Sequence, residues 1–168
     1  DAPGDELFNA LKADFDHDLP IIAEDLGIIT PGVVALREKH GFPGMKVLQF
    51  AFGADSLAEE YIPENYPEDS VGYTGTHDND TVMGLFHSGP GGDSTRTQEQ
   101  VDAERRTILN YTKTDGRELN WDYINAVFQS KSRLAVAPLQ DVLGLGSESR
   151  MNVPGKLADY WTWRFTWE

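Results

Sequence analysis

The sequence predicts an α/β fold, a parallel sheet whose strands are joined by crossover helices. Short apolar runs at Ile21 to Ala23, Lys46 to Phe52, Val71 to Thr74 and Leu134 to Pro138 read as strands. Between them lie segments with helical spacing of apolar residues, and strands alternating with helices favour a parallel arrangement. Four such units amount to half of an eight-stranded barrel. A parallel barrel displays its chemistry at the C-terminal ends of its strands, where Glu24, Gln49, Asp78 and the segment after Pro138 fall.

The elements follow in order. Leu7, Phe8, Leu11 and Phe15 recur at helical spacing from Asp5 to about Asp14, and Pro20 then opens the first strand run. Thr30 and Pro31 form a start signal, a capping hydroxyl before a proline at the first helical position, and Gly41 supplies the stop after His40. Helical periodicity returns from about Gln98 to Tyr111 and from Trp121 to Ser130, the latter with Asn120 as its cap. The Gly/Pro-rich stretch between Phe86 and Thr97 reads as a loop, either a tolerated insertion or a lid.

Composition excludes several functions. A chain of 168 residues falls short of a complete α/β barrel, which needs about 250. The formal charge of -14 repels phosphate backbones and anionic membrane surfaces, so neither nucleic acid nor membrane is an expected partner. A neutral ligand meets no such barrier. The absence of cysteine removes disulfides, thiolate catalysis and cysteine-based zinc sites. No apolar run approaches the length of a membrane span, and no basic start followed by an apolar stretch marks a leader.

Two segments carry the chemistry. Ile21-Ile-Ala-Glu24-Asp25 and Thr76-His77-Asp78-Asn79-Asp80 each place a carboxylate just past an apolar run. A carboxylate pair of this kind suits sugar chemistry, in which one acid protonates a leaving oxygen and another carboxylate carries or stabilises charge at the sugar carbon. Glu24, leaving a buried strand, is expected in a partly desolvated pocket, the setting a general acid requires. The bland alternatives are a merely exposed strand-end Glu24, and a His77-Asp78 pair that ties down a turn. A calcium loop fails, because after Asp78 and Asp80 the next ligand position is Val82 and the obligatory glycine is Met83. A dinucleotide fingerprint fails too, since Ser149 stands where the third glycine after Gly144 and Gly146 is required. No metal or cofactor is expected. The chain also supplies aromatic faces, most of them explained by packing, and polar groups for a sugar; Gln49 and Asn152 are the preferred substrate contacts.

The order of motifs resembles glycoside hydrolase family 77, the 4-alpha-glucanotransferases or amylomaltases. The resemblance runs through Leu19-Pro-Ile-Ile-Ala-Glu24-Asp25-Leu-Gly27-Ile-Ile-Thr30-Pro31 and Gly41-Phe-Pro-Gly-Met-Lys46-Val-Leu-Gln49-Phe-Ala-Phe52. It continues at Asn65-Tyr66-Pro67, Tyr73-Thr-Gly-Thr-His77-Asp78-Asn79-Asp80-Thr81, Gly146-Ser-Glu148-Ser-Arg150-Met-Asn152 and Trp161-Thr-Trp163-Arg164. It implies the C-terminal half of a (β/α)8 TIM-type barrel with insertions, about strands five to eight, occupying residues 1–168 as one partial catalytic domain. It further implies disproportionation of maltooligosaccharides by a retaining double displacement, with α-1,4-glucans as substrates. Glu24 would be the acid/base, Asp78 the transition-state stabiliser, and His77 a contact to the same sugar. The implied location is the cytoplasm, or a plastid in a plant or alga.

In the family the nucleophilic aspartate sits in an Arg-x-Asp-His motif on the strand before the Glu24 strand. No such motif occurs here; His17-Asp18 lacks the preceding Arg-x-Asp. The expectation is therefore a chain that requires the N-terminal half of the barrel as its partner, is inactive alone, and exposes unpaired edges and apolar faces that favour self-association. A non-catalytic maltodextrin-binding remnant and an α-glucan hydrolase are the alternative readings.

Overall fold

The computed structural model describes residues 3–15, 18–53, 57–91, 94, 96–157 and 160–167. His17, of the His17-Asp18 pair, lies outside the described residues, as do Gly92, Asp93 and Thr95 of the Gly/Pro-rich loop. Among the described residues the elements in chain order are α1 (Gly4–Phe15), α2 (Pro31–Lys39), β1 (Gly44–Val47), β2 (Ser70–Tyr73), α3 (Val82–His87), α4 (Gln98–Thr112), α5 (Leu119–Phe128), β3 (Leu134–Val136) and α6 (Leu139–Val142), with three short 3-10 turns between β1 and β2 and a fourth, Ser147–Ser149, after α6. Among the described residues no helix is long and apolar enough to cross a membrane.

The three strands form one parallel sheet in the order β1-β2-β3. Register aligns Val47 with Tyr73 and Tyr73 with Val136, so all three strands end at one level. The crossover from β2 to β3 carries α3, α4 and α5, whereas among the described residues β1 reaches β2 through three short 3-10 turns, Leu48–Ala51, Ala58–Tyr61 and Pro63–Asn65.

Four expectations change. Ile21 to Ala23 is not a strand. The segment lies along β1 with a backbone bond from Ala23 N to Pro43 O (2.9 Å), and the Asp25 side chain accepts from Met45 N (2.7 Å). Proline has no N–H to offer, and a carboxylate takes the next amide, so a ladder cannot propagate. The run from Lys46 to Phe52 is strand only to Val47 and then tightens into a 3-10 turn over Leu48–Ala51. Asn120 does not cap α5 but lies inside it, donating Nδ2 to Asp141 O at 2.9 Å. Thr30 stands at the N-cap of α2 in extended conformation, but its hydroxyl makes no capping bond. The stop at Gly41 holds, with a left-handed φ of 70° that favours glycine.

The helices cover one face of the sheet. Val127 of α5 packs over Gly72, where a Cβ would lie 2.9 Å from Val127 Cγ1 and 3.3 Å from Tyr66 Cε2. Leu48, Phe52, Val82, Ile108, Leu119, Tyr123 and Val127 form the core on this side, with Ala135 packed against it. Alternation along β3 turns Leu134 and Val136 to the other face, where they are 53% and 40% exposed. Ile22 and Ile28 are exposed as well. The α1 helix buries no residue fully; it is held to α2 by the Asp5 bonds to His40 and Lys39 and by the Phe8–His40–Phe42 ring cluster.

Two outcomes follow from this packing. Gly72→Ala forces α5 off the sheet and lowers stability by about 1–3 kcal/mol, read from urea unfolding. Burial pushes the hydroxyls of Tyr66, Tyr123 and Tyr111 above the ordinary tyrosine value. Because their folded pKa values lie above the unfolded value of about 10, the stability they contribute is present below that pH and lost as pH rises through the folded values. An alkaline titration will therefore show tyrosinate absorbance from these residues rising together with the loss of helical circular dichroism; a separate earlier rise from all of them contradicts their burial.

Candidate active site

The strand ends deliver the polar segments to one side of the sheet. After β2 the chain runs from Thr74 through a seven-residue loop to α3, and this loop carries His77 and Asp78. Its turn is closed by Thr76 and Asn79: Asn79 Oδ1 accepts from Thr76 N (2.9 Å) and Thr76 Oγ1 (2.8 Å), and Asn79 N donates to Thr76 O. The loop thus meets its own hydrogen-bonding needs without His77 or Asp78, whose side chains remain 50% and 48% exposed. That outcome argues against the bland reading in which the pair exists to hold the turn.

Asp78 is held by the segment that follows the Ser147–Ser149 turn. Asn152 Nδ2 donates to Asp78 Oδ1 at 2.6 Å, Arg150 donates Nη2 to Asp78 O at 2.7 Å, and Arg150 Nε steadies Asn152 through its carbonyl at 2.7 Å. His77 Nε2 lies 3.4 Å from Asp78 Oδ1, and the His77 ring leans on the Trp161 indole with centroids 5.0 Å apart. The adjacent His77 and Asp78 are joined by Asn152, 74 positions away in sequence.

Gln49 lies at the same end but is buried, and its Nε2 donates to Asp80 O at 2.9 Å. It lines the cleft while supporting the loop. Asp80 has the supporting part that its neighbours suggest, accepting from Thr81 N (2.8 Å) and Ser147 Oγ (2.6 Å). Glu24 corrects an expectation: its side chain is exposed instead of entering a desolvated pocket, because the extended segment that carries it has β1 on one side and solvent on the other. Burial pushes the Tyr73 hydroxyl up, and the Glu24 carboxylate adds to that push.

Beside Asp78 opens a cleft of about 680 Å³, walled by Asp80, Ser147, Arg150 and Trp163 and by the loop following α3. That loop is anchored at both ends: Arg96 pairs with Glu104 and donates to Ser88 Oγ, and Arg105 donates to the Phe86 and Ser88 carbonyls. The cleft has the size of a small-molecule site and a polar lining suited to a hydroxyl-rich ligand. Among the described residues no group of three or more His, Asp or Glu gathers as a metal site.

A sequence profile of the 4-alpha-glucanotransferases matches residues 1–168. The chain belongs to the 4-alpha-glucanotransferase family. A 4-alpha-glucanotransferase of Synechocystis sp. is 46% identical over 98% of this chain, and one of Thermus thermophilus is 44% identical over 97%. The chain spans 30% and 32% of the length of these two relatives. Its fold is similar to that of amylomaltase from Streptococcus agalactiae in complex with acarbose, with a TM-score of 0.81 and 34% identity, covering 99% of this chain and 31% of that one. Amylomaltase from Corynebacterium glutamicum, at 19% identity and a TM-score of 0.60 over 84% of this chain and 24% of that one, shares the fold.

Sequence reasoning singled out no part for Asp141. Its carboxylate is buried and accepts from Thr74 Oγ1 and Val82 N. The available signal was an acid inside the apolar stretch Leu139 to Leu145. Burial raises its carboxyl above the ordinary carboxylate value, opposed by the bonds from Thr74 and Val82, while nearby Asp80 raises it further. Thr81 was equally silent in sequence: its Oγ1 accepts from Gly84 N at 2.9 Å, capping α3, and donates to Leu145 O at 2.7 Å. Thr81→Val removes both bonds and is expected to lower stability by about 1–2 kcal/mol in urea unfolding.

Proposed function

We propose that this chain forms part of the cleft of an enzyme that transfers α-1,4-glucan segments between maltooligosaccharides. The observation that carries the reading is Asp78, a carboxylate presented in an open cleft at the C-terminal end of a parallel sheet and held there by Asn152. Family membership supports the reaction class, and the acarbose complex of the Streptococcus agalactiae amylomaltase supports a sugar ligand for the cleft.

In this reading Glu24 protonates the glycosidic oxygen as an upstream aspartate attacks the anomeric carbon, so that the C–O bond breaks as the glycosyl-enzyme forms. Glu24 then takes the proton of the incoming sugar 4-hydroxyl, which displaces the aspartate and retains configuration. Asp78 stabilises the oxocarbenium-like charge and, with His77, holds the sugar hydroxyls. Gln49 and Asn152 line the same sugar and keep the Asp78 loop in register. In a retaining site the two carboxyls stand about 5–5.5 Å apart, so the strand bearing the nucleophile runs beside the extended Ile21–Ala23 segment. That strand would also pair the open edge and screen Glu24 from solvent. Residues 1–168 are on this view about strands five to eight of a (β/α)8 barrel, working in the cytoplasm or a plastid.

The test is the product pattern from maltotriose with the natural full-length gene product. Transfer yields glucose together with longer glucans, and Asp78→Asn lowers kcat by about 10²–10³-fold. Exclusively shorter products make the protein a hydrolase, and binding without turnover makes it a maltodextrin-binding protein; either result sinks the proposal.

A further inference from the structure

The catalytic reading leaves one buried charge unused. Asp141, at 1% exposure, lies on α6 immediately after the β3 end, and among the described residues it forms no ion pair. Its partners are neutral donors: Thr74 Oγ1 to Oδ2 at 2.6 Å and Val82 N to Oδ1 at 2.8 Å. A carboxylate held out of water by neutral groups alone is costly, and an apolar residue would fill the space without that penalty.

The identity of the two partners explains the arrangement. Thr74 is the residue that follows β2, and Val82 is the first residue of α3. They bracket the loop 75–81 that carries His77 and Asp78. One carboxylate therefore closes the loop at its base, one oxygen to each end. The amide of Val82 has no acceptor within its own helix, and the Thr74 hydroxyl requires an acceptor at the same point. Only a side chain with two acceptors serves both, which an asparagine cannot do without turning the Thr74 hydroxyl around.

The base is itself braced. Asn120 Nδ2 of α5 donates to Asp141 O at 2.9 Å, and Asp141 N donates to Pro138 O at 3.0 Å. The neighbouring Gln140 donates Nε2 to Ser149 O at 3.3 Å, just ahead of Arg150 and Asn152, which donate to Asp78. The short helix α6 thus supports Asp78 in two ways, through the loop and through the segment that carries Arg150 and Asn152.

We propose that Asp141 is a positioning residue for the reaction: its carboxylate sets the separation of Thr74 and Val82 and so fixes where the loop presents Asp78. The consequence for turnover rests on the glucan-transfer reading; the consequence for the loop does not. Because Asp78 acts on charge that develops in the transition state, a displaced loop reduces kcat while ground-state binding, spread over the cleft, is retained.

The experiment compares Asp141→Asn, Thr74→Val and Thr74→Ser in the natural full-length gene product, with Ile108→Val as a core variant that lowers stability away from the site. Maltotriose kinetics are read alongside hydrogen exchange of the peptide spanning 75–81. Asp141→Asn is expected to lower kcat about 10- to 100-fold with KM within about twofold, and to speed exchange in 75–81 by about tenfold or more. Thr74→Val follows in the same direction, and Thr74→Ser restores both readouts. Unchanged kcat and unchanged exchange in a folded Asp141→Asn protein overturn the proposal. So does a loss of kcat that Ile108→Val reproduces at equal loss of Tm. If Asp141→Asn fails to fold, the contrast of Thr74→Val with Thr74→Ser decides the matter by the same two readouts. Should the parent protein lack transfer activity, the function reading fails, and the exchange of 75–81 still decides the role of Asp141.

Discussion

A parallel sheet requires cover on both faces, and here the helices supply it on one. The contact that makes this cover close is the seat of Val127 on Gly72, where the absence of a side chain lets α5 approach the middle strand. From that seat the core extends through Leu119 and Tyr123 to Phe52, Ile108 and Val82. Because α5 is fixed, Asn120 reaches Asp141, and because Asp141 is fixed, the loop after β2 has a defined base. Packing on the covered face thereby sets the geometry at the strand ends.

The other face is buried at Val47 and Val71 and open only along β3. Leu134 and Val136 stand open, and the extended segment bearing Glu24 meets β1 through one backbone bond and the Asp25 side chain. The two halves of the proposed chemistry therefore differ in how firmly this chain holds them. Asp78 is gripped by Asn152, supported by Arg150 at its carbonyl and based on Asp141, whereas Glu24 rests on an exposed margin. The partner strand proposed for this margin would bring both the nucleophile and the shielding that a proton donor needs.

Legibility in the sequence followed the range of the interactions. Helices α1, α2 and α4 are recognisable because apolar spacing and terminal residues are local, as at Pro31 and Gly41. The capping box of Thr97 and Gln100 at α4 is local too. Failures came where a long-range contact overrode local preference. Asn120 has a capping residue's chemistry but spends its amide on Asp141, and the apolar run Ile21 to Ala23 meets Pro43, which has no N–H to give, while the Asp25 carboxylate takes the Met45 amide. The helices α3 and α6 are too short for periodicity to reveal; their starts depend on Thr81 and on the turn at Pro138.

By itself the sequence determined the α/β class with its parallel sheet, the carboxylates Glu24 and Asp78 past apolar runs, and, through the order of its motifs, the family. These are properties of neighbouring residues and of their succession. Only the tertiary structure decided that Asn152 meets Asp78 across 74 positions of chain, that Gln49 supports Asp80 instead of standing free, and that Asp141 closes the loop between Thr74 and Val82. Such pairings depend on where a hydrogen bond can reach once the sheet and α5 are packed, and no periodicity along the chain encodes that distance.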